Sequence, residues 1–263
     1  MQQFINQEPK NYCFCTLALG TRYCLFAQEL AKDLEKNFPG VVLLVYSDEP
    51  EHFSSNANVL AYKYKQQGIL TCFNDKRFVL AKALSDFSAA IFIDADTRIL
   101  DGVPNALKWA PGITTNHCEN LLEHVNKYSP ERLDSIRNVA SKLNISLENT
   151  TYIGESLFVV AKDQGKEIEF FNLWGKIGRY LELKGIHAGE GNTIGLAAAK
   201  VGWTINNDSD AWQAIKQVTK HIDASLLSYQ QAFLDKWKMR FAYHYRLNFA
   251  KLMALKDLNF FYN

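Results

Sequence analysis

The chain has 263 residues, 48% of them hydrophobic, which is enough to bury the core of one large α/β domain or two small ones. Its 29 basic and 28 acidic side chains leave a net charge of +1, which argues against a dedicated nucleic-acid binder, whose footprint is basic. Five cysteines without paired CxxC spacing, a polar start from Met1 to Lys10 and the lack of an apolar run of bilayer length predict a reduced, cytoplasmic protein. In that compartment the sequons at Asn144 and Asn149 carry no weight. No linker, low-complexity stretch or internal repeat interrupts the chain, so it reads as one continuous domain.

Tyr12 to Leu19 is an apolar run of strand length. Thr21 is placed to cap a helix whose Leu25, Phe26, Leu30 and Leu34 recur at three and four, and Pro39-Gly40 ends it. Val41 to Tyr46 predicts a strand covered on both faces, stopped by the turn signal Ser47-Asp48-Glu49-Pro50. A third strand follows at Val59 to Tyr64. Asn74 is placed to cap a helix through Phe87, which leads into Ala89-Ala90-Ile91-Phe92-Ile93-Asp94-Ala95-Asp96. This alternation predicts a Rossmann-like, mostly parallel sheet flanked by helices.

The second half is less regular. It predicts strands at Gly112 to Thr115, Leu157 to Ala161 and around Trp203, and a helix starting with proline at Ser129-Pro130-Glu131. Further helices are expected from Gln164 to Leu183 and from Ile194 to Lys200, with a glycine-rich loop at 189–195 before the latter. Glycine there would supply backbone freedom. After Ala224 the chain reads as helix almost to its end.

Asp94 and Asp96 end an apolar strand one residue apart. If the backbone stays extended they share a face, and two carboxylates so placed can hold a hard divalent cation, Mn or Mg rather than Zn. Apolar strand followed by Asp-Ala-Asp resembles the DXD element of GT-A fold glycosyltransferases, in which the metal grips the pyrophosphate of a nucleotide-sugar. The resemblance runs in order through residues 12–206. It implies a single GT-A catalytic domain over 1–224, with a helical extension at 225–263 packed on it. Phe14 to Tyr23 is similar to the family's first strand and turn, so Phe14, Thr16, Leu17, Ala18 and Tyr23 are implied at the base and ribose, with Asp48 near the nucleoside. Lys76 and Arg77 fall where basic residues approach the phosphates, and Ala95 belongs to the same donor set. Tyr152 to Phe158 resembles the acceptor-side strand. His187 to Ile194 resembles the late acidic segment of the blood-group-type retaining transferases, which puts Glu190 in place of their catalytic carboxylate.

The implied function is metal-dependent transfer of a sugar, with UDP the commonest donor nucleotide among the resembling enzymes, to a glycan or other hydroxyl acceptor. The late segment favours retention, and the sequence leaves inversion open. His221 and His244 are the late histidines from which a third ligand could come, but neither carries the family's flanking pattern. A sugar nucleotidyltransferase is the enzymatic alternative, because Gly20-Thr21-Arg22 echoes that family's first loop. An inactive nucleotide- or glycan-binding module is the other. In the tail, Phe233, Trp237, Phe241 and Tyr245 recur at intervals of four, which predicts a core-facing stripe. The bases around them admit a second reading, weak contact with an anionic membrane surface.

Overall fold

The structure is a computed structural model and describes residues 11–103, 107–115, 117–207, 209–224 and 233–262, with the side chains of 233–236 outside the description. The first half alternates strand and helix: β1 (Tyr12–Ala18), α1 (Thr21–Asn37), β2 (Leu43–Ser47), β3 (Val59–Lys63), α2 (Lys76–Asp86) and β4 (Ala89–Ile93). A short β5 (Thr97–Ile99) follows, then β6 (Gly112–Thr114), β7 (Cys118–Asn120), α3 (Leu121–Tyr128), α4 (Leu133–Leu143) and β8 (Thr151–Ile153). The remainder is β9 (Leu157–Ala161), α5 (Lys166–Leu183), α6 (Glu190–Lys200), α7 (Asp210–Val218), β10 (Thr219–His221), α8 (Phe233–Ala254) and α9 (Leu258–Tyr262).

Six strands form one sheet in the order β3-β2-β1-β4-β9-β6. The first four are parallel, and β9 runs antiparallel to both β4 and β6. Both faces are covered, which is why the central strands are nearly continuous apolar runs rather than alternating. Cys13, Cys15, Leu44, Phe92 and Phe158 pack toward α2, α5 and α6, around the buried Trp174. Phe14, Leu43, Val45, Ile91 and Ile93 point the other way, against Leu30 and Leu34 of α1 and Trp212 of α7. Because α1 and α2 cover opposite faces, the sheet has a topological switch between β1 and β4, and the crevice beyond the carboxyl ends of such strands is where ligands sit.

Several local expectations are corrected. Thr21 is the first helical residue of α1, not its cap. That position belongs to Gly20 at φ 82°, and the Thr21 hydroxyl turns to Glu49. Leu25 is 56% exposed, and Cys24, Ala27 and Ala31 share the buried face with Leu30 and Leu34 instead. Asn74 caps nothing; a 3-10 turn at Phe73–Asp75 precedes α2, and the Asn74 carbonyl accepts the Trp174 indole N–H at 2.9 Å. Pro130 opens a 3-10 turn before α4. The segment around Trp203 is not a strand, and its indole N–H is bound by Asp163 at 2.8 Å.

The glycine-rich stretch is not a loop. Helix α6 begins at Glu190, so Gly191 and Gly195 lie inside it. A Cβ on Gly191 would stand 2.2 Å from the Ile153 carbonyl oxygen, and one on Gly195 would stand 2.0 Å from that of Thr151. These glycines permit close approach of α6 to β8 rather than freedom of movement.

The aromatic stripe of α8 does not face the core either. Trp237, Phe241 and Tyr245 are 48%, 71% and 72% exposed, while the side chain of Phe233 lies outside the described residues. The helix is seated through small residues instead: Ala250 and Ala254 are buried, and the buried Phe260 of α9 meets Tyr180 of α5 at 5.7 Å between ring centres. No helix among the described residues is long and apolar enough to cross a membrane.

Candidate functional site

A cleft of about 480 Å³ opens at the switch point, where the ends of β1 and β4 meet the β8–β9 turn, the start of α6 and the end of β10. Leu17 reaches it from β1 and Leu19 from just after it, Asp94, Ala95 and Asp96 from the turn that follows β4, and Lys76 from the first turn of α2. Tyr23, Tyr152, Glu155, Glu190 and His221 complete its chemically active lining.

The two aspartates converge by a turn rather than along an extended strand. Strand β4 ends at Ile93, the Asp94 amide is given to the Ser156 carbonyl at 2.9 Å, and the Thr97 amide folds back to the Asp94 carbonyl at 3.0 Å. Strand β5 then pairs antiparallel with β10, which sets His221 opposite Thr97. Asp33 fixes β5 against α1 with two hydrogen bonds from Arg98 at 2.6 and 2.8 Å. The result places His221 Nε2 3.2 Å from Asp96 Oδ1 and 3.9 Å from Asp94 Oδ2. One ligand atom from each of the three lies within 4.8 Å of the others. Two carboxylates supply the oxygen donors that suit Mn or Mg, while the imidazole nitrogen also suits softer ions such as Zn, so the trio fits a divalent cation.

Asp96 is held from behind: its Oδ2 accepts the Ala224 amide at 2.7 Å. Burial works against its charge, but the His221 and Ala224 hydrogen bonds win and hold it below the ordinary carboxylate range. His221 is correspondingly raised, chiefly by its bond to Asp96. Burial pushes Asp94 the other way, above the ordinary range, with Lys76 opposing and Glu190 and Asp96 adding to the rise.

Lys76 joins the Asp94 side of the cleft to the Glu190 side. Its Nζ lies 3.0 Å from Asp94 Oδ1 and 2.9 Å from Glu190 Oε1, and it also donates to the Glu155 carbonyl at 3.0 Å. Both members of the Lys76–Glu190 pair are buried. Burial works to lower the pKa of the ammonium, but Asp94 and Glu190 more than compensate and raise it. Beside them Glu155 accepts from the Tyr152 hydroxyl, and burial together with the charge of Glu190 pushes its carboxyl up to about 7. Tyr152 is in turn stacked on His124 at 3.5 Å.

No protein-family model matches the chain, and no curated protein matches it. The site therefore rests on its own geometry.

Of the residues singled out from sequence, Leu17, Tyr23, Lys76, Asp94, Ala95, Asp96, Tyr152, Glu155, Glu190 and His221 share the cleft. Phe14, Thr16, Ala18, Asp48 and Arg77 do not line it. Phe14 and Thr16 are fully buried inside β1, and Ala18, its last residue, is buried on the α1 side of the sheet, so only Leu17 and the residues after the strand reach the opening. Asp48 receives the Gly20 amide at 2.8 Å and shapes the turn after β1. Arg77 points away from the cleft, its guanidinium 3.6 Å above the Phe78 ring and against Gly175 of α5. His221 has no flanking pattern that marks it in the sequence. It reaches the aspartates only because β10 pairs with β5, and a three-residue strand pairing across more than a hundred residues leaves no periodic signal. His187 lines a separate cavity. A second trio, Cys24, Glu49 and His52, also lies within 4.8 Å, but Cys24 is bound to Ser47 at 3.2 Å and Glu49 to Thr21 and His52.

Proposed function

We propose that the chain is a metal-dependent glycosyltransferase of GT-A type, moving a sugar from a nucleotide-sugar, UDP-linked in the first instance, to a glycan or other hydroxyl acceptor. The observation that carries this reading is the trio Asp94, Asp96 and His221 at the switch point of the sheet, joined by one lysine to a buried glutamate across the same cleft. A Mn or Mg ion held by the trio would supply Lewis acidity toward a departing diphosphate. Lys76 adds a fixed positive charge beside it, and Tyr23 and Leu17 offer the adjoining surface to the nucleoside. Glu190 and Glu155 stand on the opposite side, where they can orient an acceptor hydroxyl and receive its proton. The five cysteines are all free, in keeping with a reducing cytoplasmic setting.

The nucleotidyltransferase alternative weakens on one contact. A triphosphate-cradling loop needs free amides, and the Gly20 amide is already given to Asp48. The deciding experiment is calorimetry with UDP, GDP and CDP in the presence of Mn, followed by metal-dependent hydrolysis of the matching nucleotide-sugar. Mn-dependent binding of one diphosphate is expected. Binding of none would remove the reading, and turnover that needs sugar phosphate plus nucleoside triphosphate would replace it with the alternative.

A further inference from the structure

We propose that α8 and α9 dock the protein on an anionic lipid surface through an exposed aromatic and basic face. Trp237, Phe241, Tyr245, Phe249, Leu252 and Leu255 are each about half exposed or more. In a helix these positions form one stripe, and Arg246, Ala250 and Ala254, which seat α8, fall on the other side. Scattered apolar side chains are normal on a surface, but a continuous stripe of this kind marks a contact.

Charge identifies the occupant. Residues 233–262 carry six bases, Lys236, Lys238, Arg240, Arg246, Lys251 and Lys256, of which Arg246 lies on the seated side, against two acids, Asp235 and Asp257, in a chain whose net charge is only +1. Asp257 is engaged by Lys176 of α5 at 2.6 Å, which anchors the segment to the body of the protein. Lys251 and Lys256 stay exposed beside the stripe. A second copy of the chain would bring the same positive charge against itself, whereas an anionic bilayer complements it. Tryptophan and tyrosine suit the headgroup layer, with an apolar ring and a polar tip, and each nearby base adds attraction to acidic lipid. Arg240, Tyr243 and Arg246 of α8 also line a cavity of about 430 Å³ shared with His187, the neighbour of the cleft-lining Ala188 and Gly189. Taken with the function proposed above, on which this step alone rests, the acceptor hydroxyl would be borne by a lipid.

The test is flotation of the full chain with vesicles of phosphatidylcholine alone and of phosphatidylcholine with phosphatidylglycerol. Binding is expected to the anionic vesicles only, and to fade with salt. In Lys251→Gln/Lys256→Gln the partition constant should fall about 30-fold, and in Phe241→Ser/Tyr245→Ser at least about tenfold. Thermal melting and Mn–UDP calorimetry should be unchanged in both variants, since these side chains are exposed and outside the cleft. Failure to float, equal binding to neutral vesicles, or indifference to all four substitutions would overturn the proposal. So would a dimer in sedimentation that Phe241→Ser/Tyr245→Ser dissolves. Vesicle binding without nucleotide binding would leave the docking in place and remove only the function.

Discussion

Lys76 faces two carboxylates from within a buried setting, so its removal exposes how much the site depends on charge balance. Breaking a buried ion pair on one side leaves the other charge stranded, at a cost of about 3–5 kcal/mol. Lys76→Met should therefore lower unfolding free energy by about 3 kcal/mol in urea titrations. Adding Glu190→Gln should recover part of that loss, because the stranded charge is then gone. Unchanged stability in the single variant would mean that Asp94 and Glu190 do not rely on it. On the Asp94 side of the cleft, Asp94→Asn and Asp96→Asn should reduce Mn-dependent turnover on the order of 10²-fold or more while circular dichroism stays native. His221→Ala should weaken Mn binding about 10–100-fold by calorimetry. Equal Mn affinity in wild type and His221→Ala would take the histidine out of the site.

At the scale of elements, α6 shows how packing overrides propensity. Alanine favours a helix over glycine by about 1 kcal/mol, so Gly195→Ala would stabilise an isolated helix. Here the new methyl would meet the Thr151 carbonyl at 2.0 Å, and overpacking of this kind costs about 1–3 kcal/mol. The expected outcome is net destabilisation, read as a lower denaturation midpoint, together with weaker activity, because α6 carries Glu190 at its first position. A stabilised Gly195→Ala protein would show that α6 can stand off β8 without loss.

The whole molecule carries a pH dependence to which a group outside the cleft contributes. Burial pushes Glu182 of α5 from an ordinary 4.5 up to about 7, with Arg179 opposing. A raised carboxyl means that the folded state holds its proton where the unfolded chain has released it. Stability from this group is therefore present below about 4.5 and is lost as pH rises toward about 7. Glu182→Gln removes the titration, so it should gain on wild type across that window and level off above it, by up to about 3 kcal/mol. Urea denaturation of both proteins at pH 4.5, 6 and 8 checks this. A gap that does not widen with pH would mean that Glu182 is solvated in solution.

The alternating strands and helices from β1 to β4 were legible in sequence because a sheet covered on both faces demands apolar strands, and that demand is local. The same is true of Asp94 and Asp96, whose position after an apolar run marks a strand end. Lys76 and Glu190 were found through resemblance to a family pattern, and their meeting across the cleft was not. Their pairing, the delivery of His221 by β10 and the close contact of α6 with β8 join segments far apart in the chain. Only tertiary structure decides such distances. Exposure was the other hidden quantity: a period of four identifies one face of a helix, but not whether protein or solvent lies opposite. In α8 the small residues Ala250 and Ala254 took the seat and turned Phe241 and Tyr245 outward. Sequence by itself determined the mostly parallel α/β scaffold and its paired aspartates, since both follow from local pattern; the placement of His221 beside them, the lysine bridge and the outward aromatic face were decided by long-range packing.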